Sequence, residues 1–466
     1  VKLESVGKAV RPQKILDSWK KLTSGSTTRR IFGAAVTIAL LTALVKVAAV
    51  AKELVVAWRF GISDDLDAFL IALLMPSFII NLVAGSFNSS FIPTYIRVRE
   101  LENSTAARKL FSSVMVLGAG LLGVTTVLII ALAPLYLPLI ARGFSPEKLH
   151  LTFSLLCLSA PVILLSGVVT IWGAVLNAGE RFALAAFSPV ITPIISIIFL
   201  LTAYSWGIYA LAVGLVCGAA LEMFFVGAAL KRQGVPLFPR WHGADPHLRQ
   251  VVKQYVPLIG GAFLMGGTYL VDQSMAAMLS PGSVAALNYG NKIVAFITGL
   301  AATALGTAVI PYFSSTVARE NWLEARHILK RYLWLIFSFS IPVMILLVWV
   351  SEPLTRALFQ RGAFSVEETH VVARIQSFFA LQIPFYVAGI LLVRLISSFR
   401  ANHFLLWGAI INLVINVSLN YLLMRWLGVA GIALSTSVVY LISFTYCYVV
   451  INRLILKTES RAAGNL

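Results

Sequence analysis

Runs of about 20 or more apolar residues follow one another along the whole chain, and no other feature so narrows what it can fold into. At about 1.5 Å of rise per residue, such a run crosses the roughly 30 Å hydrocarbon core of a bilayer. Lipid offers no hydrogen-bond partner, so each run has to satisfy its own backbone as a helix. The runs fall at 32–60, 67–96, 109–141, 149–176, 183–204 and 207–230, then at 254–280, 283–317, 328–351, 366–399, 403–425 and 428–452. The predicted fold is therefore an all-α polytopic membrane protein. Its twelve transmembrane helices form two pseudo-symmetric six-helix lobes around a central cavity. The expected organisation is a basic tail at 1–30, an N-lobe at 31–230, a basic linker at 231–253, a C-lobe at 254–455 and a short tail at 456–466.

Composition agrees and removes other classes of function. The chain is 59% hydrophobic and 12% charged, against about 45–50% and about 25% for a soluble domain. Twelve spans leave no room in 466 residues for a soluble catalytic domain, and no nucleophile–base constellation is visible, so an enzyme is not expected. A net charge of +18 suggests nucleic acid in a soluble protein; here its distribution points elsewhere. Lys2, Lys8, Arg11, Lys14, Lys20, Lys21, Arg29 and Arg30 precede the first span, and further clusters sit at Arg97/Arg99/Arg108/Lys109 and Lys231/Arg232/Arg240/Arg249/Lys253. The positive-inside rule then puts both termini in the cytoplasm, with the basic tail lying on anionic headgroups, and excludes nucleic acid as a partner. Cys157, Cys217 and Cys447 lie in apolar runs at unrelated spacings and read as small buried hydrophobes.

The two halves repeat one another. Ile92-Pro93-Thr94-Tyr95 closes the second span and Ile310-Pro311-Tyr312-Phe313 the eighth. Pro161 and Pro384 stand in register in the fourth and tenth, while Gly207 and Gly428 open the sixth and twelfth. An even number of helices per repeat relates the halves by an axis along the membrane normal, as in carriers that rock around a site between them.

Ionisable residues inside spans are costly and face a cavity, a partner or a transport path. Lys46 and Glu53 are two turns apart on one face of the first helix, with Lys52 beside Glu53. Lys292 stands in the eighth, preceded by Asn288, Tyr289 and Asn291. Facing inward, these groups make a partly compensated site with one excess positive charge or more, suited to a pyrophosphate; facing outward, the lysines snorkel to headgroups. Asp272 in the seventh helix, the Asn412/Asn416/Asn420 stripe of the eleventh, and Ser435 and Thr436 of the twelfth offer hard oxygens for a small monovalent cation. The same residues could instead hydrogen-bond three helices together. Glu222 in the sixth has no evident partner.

Particular strings carry a resemblance. Lys52-Glu53-Leu-Val-Val-Ala-Trp-Arg-Phe-Gly61 through Asp67-Ala-Phe69, Pro76 to Ser89-Ser-Phe-Ile-Pro93, Asn177-Ala-Gly-Glu-Arg-Phe182, Gly282-Ser-Val-Ala-Ala-Leu-Asn-Tyr289, Ala304-Leu-Gly-Thr307 and Leu358-Phe-Gln-Arg-Gly-Ala-Phe364 occur in the order found in the MurJ/MviN family. The resemblance spans about residues 35–455, to lipid II flippases of the multidrug/oligosaccharidyl-lipid/polysaccharide exporter superfamily. It implies that Lys46, Lys52, Glu53 and Lys292 hold the lipid pyrophosphate, with lysine wherever the family has arginine. It also implies a sodium site at Asp272, Asn416, Asn420 and Thr436, and cavity or gating roles for Asp67 and Ser89, to which Arg394 in the tenth span is added. The sequence departs from the family at Ile80-Asn81 and Gly85, where the family has two arginines and a glutamate, and it lacks two further C-terminal helices.

The resulting expectation is a flippase of the bacterial cytoplasmic membrane. It moves a polyprenyl-pyrophosphate-linked saccharide, lipid II or an exopolysaccharide repeat unit, by alternating access. Membrane potential or sodium would drive it, without another cofactor, beside glycan-synthesis proteins. The rival readings are a drug or organic-cation antiporter on the same fold and a transport-inactive scaffold.

Overall fold

The computed structural model describes residues 27–464, apart from 180–181, 233, 236, 244, 309–321 and 400. Its long helical segments, numbered first to twelfth, are Thr27–Phe60, Asp64–Leu101, Ser104–Ile140, Pro146–Ala178, Phe182–Thr202, Tyr209–Arg232, Pro246–Ala276, Ser283–Ala308, Trp322–Trp349, Val366–Ser398, Asn402–Leu427 and Val429–Gly464. Among the described residues, nine of these are long and apolar enough to cross a membrane. The other expected spans coincide with the first, seventh and eighth helices. The Ile310–Phe313 repeat motif and most of the basic tail lie outside the described residues.

Helix ends follow local chemistry. Ser63, Asn103, Ser145 and Asp245 each cap a helix by accepting a backbone N–H three residues on. The Asp245 cap, with Pro246 at the first helical position, starts the seventh helix eight residues before the expected 254 and makes the last part of the expected linker helical. The twelfth helix likewise runs through the stretch expected as a tail.

The internal repeat has a structural counterpart. The fourth helix is interrupted at Ala160, before Pro161, and the tenth at Leu381-Gln382, before Pro384. Gly207 and Gly428 share one unusual backbone conformation, with φ of 54° and 59° and ψ of −134° and −138°. The second helix contains a π-helical turn over Ile80–Gly85, the stretch where the sequence departs from its family. Such a turn leaves backbone groups poorly paired. Tyr255 of the seventh helix donates its hydroxyl hydrogen to the Val83 carbonyl at 2.8 Å and satisfies one of them.

Helices one to six pack among themselves, as do eight to twelve; the seventh lies against both the second and the eleventh. Phe78 and Phe263 meet edge to face, and Gly266 admits the Phe78 ring. Two apolar cores result. One gathers side chains from the second, third, fourth and sixth helices with Leu248 and Val251 of the seventh. The other crosses between the halves near the 60–67, 141–155 and 277–287 turns.

Candidate functional site

The first and eighth helices bring charge together across the two halves. Lys52 Nζ lies 2.8 Å from Glu53 Oε1, and Lys292 Nζ lies 3.1 Å from Glu53 Oε2. One carboxylate thus bridges two ammonium groups, each half-buried, leaving one net positive charge. The trio lines a cavity of about 200 Å³ together with polar Ser77, Tyr269 and Asn288 and apolar Leu70, Leu73 and Leu211. Burying such charges is tolerable only because each compensates another. Lys46 is exposed on the first helix and is not among the residues lining this cavity. It stands about 10 Å along the helix axis from Glu53.

Asp67 sits elsewhere. It is 1% exposed and accepts hydrogen bonds from the Gly282 and Ala285 backbone N–H groups, at 2.7 and 2.8 Å, at the start of the eighth helix. Lys148 adds an ion pair at 3.1 Å, pairs with Asp64, and rests 3.9 Å from the centre of the Phe144 ring. A carboxylate on helix-terminal N–H groups is favoured by both hydrogen bonding and the helix dipole. A second strap joins the halves at the same end. Ala363 N–H donates to the Trp58 carbonyl at 2.8 Å and Ile62 N–H to Glu368 Oε1 at 2.9 Å. Three strings that carried the family resemblance, around Gly61 to Asp67, Gly282 to Tyr289 and Leu358 to Phe364, therefore meet in one clasp between the halves. The Ser89 side chain lies outside the described residues, and Arg394 is exposed on the tenth helix.

The oxygen-rich cluster does assemble. Asn416 and Asn420 donate to Asp272 Oδ1 at 3.0 and 2.7 Å, and the Thr436 hydroxyl donates to Oδ2 at 3.1 Å. Asn412 departs from this stripe and donates to the Ser443 hydroxyl at 3.0 Å instead. Asn420 Oδ1 and Ser435 Oγ are buried without a hydrogen-bond partner among the described residues. Turning the amides would therefore aim oxygens at the carboxylate, and the donor set fits a small monovalent cation. No cluster of three or more His, Cys, Asp or Glu suited to another metal occurs among the described residues.

Several participants escaped the sequence. Lys148 stands in the first turn of the fourth helix, three residues after its Ser145 cap. Glu222 does have partners: the Ser188 and Thr192 hydroxyls, at 3.1 and 2.9 Å. Those residues lie on the other side of a tight helix pair where Gly214 and Gly218 admit the neighbouring backbone.

Two bundles of apolar helices, clasped at one end and sharing a charged cavity, define a polytopic membrane carrier rather than an enzyme. Solved structures share this fold. The fold matches a lipid II flippase MurJ in an inward closed conformation with TM-score 0.76, at 23% identity, covering 91% of this chain and 90% of that one. It matches an inward-facing multidrug resistance MATE family transporter of the MOP superfamily with TM-score 0.71, at 13% identity, covering 92% and 99%. A family model described as "Lipid II flippase MurJ" matches residues 56–464, and the chain belongs to that family. Its relatives include a probable lipid II flippase MurJ from Synechocystis sp., 26% identical over 445 residues, covering 92% of this chain and 83% of the relative. The lipid II flippase MurJ from Burkholderia cenocepacia is 26% identical over 422 residues, covering 88% and 81%.

Proposed function

We propose that this chain flips a polyprenyl-pyrophosphate-linked saccharide across a bacterial inner membrane by alternating access, with both termini in the cytoplasm. One observation carries the reading: Lys52, Glu53 and Lys292 from opposite halves converge on a shared cavity. Two ammonium groups offer the pyrophosphate point charges, and Glu53 keeps them from repelling one another while the site is empty of substrate. An organic-cation antiporter would need the opposite excess of charge. The relatives are named for lipid II. Ile80, Asn81 and Gly85, where the family carries charge, keep an exopolysaccharide repeat unit as the second candidate saccharide.

Asp67 would gate the path, since its bonds to the eighth helix have to open before the halves separate at that end. Asp272, Asn416, Asn420 and Thr436 would hold sodium, which adds a fixed charge to the second half. Membrane potential supplies about 2.3 kcal/mol per charge per 100 mV. The test is headgroup translocation in vesicles containing Lys52→Ala or Lys292→Ala. Each substitution should sharply reduce translocation; undiminished transport in both removes the anion site.

A further inference from the structure

A second chamber, of about 100 Å³, opens beside the charged cavity in the C-terminal half. Tyr269 and Asn288 line both and form the wall between them. Asn288 Nδ2 donates to Gln273 Oε1 at 2.8 Å, which fixes the amides in the partition. The remaining lining differs in kind from the first cavity. Gln382, at the break in the tenth helix, is 6% exposed, and its side-chain amide makes no hydrogen bond with the described residues. Asn291 and the Tyr440 hydroxyl are likewise unpaired among those residues, and the Tyr440 ring stands edge-on to Tyr386 at 5.1 Å.

Gln382 is buried and Asn291 and Tyr440 are half-buried, so amides and a hydroxyl without protein partners stand open to hydrogen bonds from a ligand or water. The groups are neutral apart from Asp272, which with Thr436 brings part of the oxygen cluster into the lining, and they both donate and accept. An uncharged ligand bearing several hydroxyls complements them; an apolar or anionic one does not. Asn288 and Lys292 stand one helical turn apart on one face, so a group bonded to a phosphate on Lys292 falls beside Asn288. At about 10–15 Å³ per water-sized position, the chamber holds about seven to ten such positions, enough for the hydroxyl edge of a single ring.

We propose that this chamber binds the sugar directly attached to the pyrophosphate, with Gln382 and Asn291 recognising its hydroxyl groups. The inference rests on the flippase reading and adds a saccharide subsite to it. The experiment measures binding of two lipids to the full chain in nanodiscs: a polyprenyl pyrophosphate, and the same lipid carrying one hexosamine. The intact chain should bind the sugar-bearing lipid more tightly. Gln382→Leu and Asn291→Leu should each reduce that advantage by about threefold to tenfold, the worth of a neutral hydrogen bond, while affinity for the bare pyrophosphate stays unchanged. No sugar advantage in the intact chain, or an advantage that survives both substitutions, overturns the subsite. Binding of neither lipid by the intact chain overturns the flippase reading itself.

Discussion

Asp67→Asn isolates the electrostatics of the clasp with almost no change in shape. The carboxylate is 1% exposed, accepts two backbone N–H groups at 2.7 and 2.8 Å, and pairs with Lys148 at 3.1 Å. An amide keeps one acceptor oxygen but turns an NH2 toward either a backbone N–H or the ammonium, so a bond is lost and the buried ammonium keeps only its pairing with the more exposed Asp64. The Lys148 side chain is only 10% exposed and gains little from water. Breaking a buried pair from one side costs about 3–5 kcal/mol, and the surviving Asp64 pairing puts this change at the lower end. At about 1.4 kcal/mol per tenfold, the balance between clasped and open ends moves by about two orders of magnitude. Spin labels at Asp65 and Glu367, both exposed and on opposite halves, report the separation directly by pulsed dipolar spectroscopy in a background free of Cys157, Cys217 and Cys447. Asp67→Asn should populate a longer distance. Adding Lys148→Met should cost less than the sum of the single changes, because both remove one pair. A distance distribution identical to the parent's, or strict additivity, would refute the assignment of the clasp to this charge pair.

The second strap depends on backbone shape. Gly362 has φ of 61°, and a methyl there would overlap the Trp58 carbonyl, so Gly362→Ala should lower Tm in detergent; the left-handed conformation alone costs about 1–2 kcal/mol. An unchanged Tm would show that the loop relaxes freely. At the oxygen cluster, sodium at about a hundred times its dissociation constant should stabilise the protein by about 2.7 kcal/mol relative to choline. Asp272→Asn should abolish that sodium-specific shift in Tm, whereas its persistence would place the ion elsewhere.

What the sequence disclosed depended on how local the determinant was. The apolar runs, the registered Pro161 and Pro384 and the paired Gly207 and Gly428 all act through their own backbone, so a linear reading reached them. The Lys52–Glu53–Lys292 grouping was legible because charge in lipid demands a partner, and few candidates existed. Lys46 obeyed the same helical spacing yet points out of the cavity, since spacing relates residues within one helix and not to its neighbours. Asn412 illustrates the same limit: its i, i+4 stripe is real, but Ser443 on the facing helix captures it before Asp272 can. The partners of Lys148 and Glu222 were missed because they lie thirty or more residues away, on elements whose juxtaposition only packing decides.

Half of the lock at Asp67 is made of peptide nitrogens. Side-chain drift along the start of the eighth helix therefore cannot erase those two donors, short of introducing proline or giving a side chain to Gly282, which sits at φ 83° against Ile62. Only the acid and its lysine remain adjustable, which gives selection two dials on the ease of separation while the receiving surface stays constant.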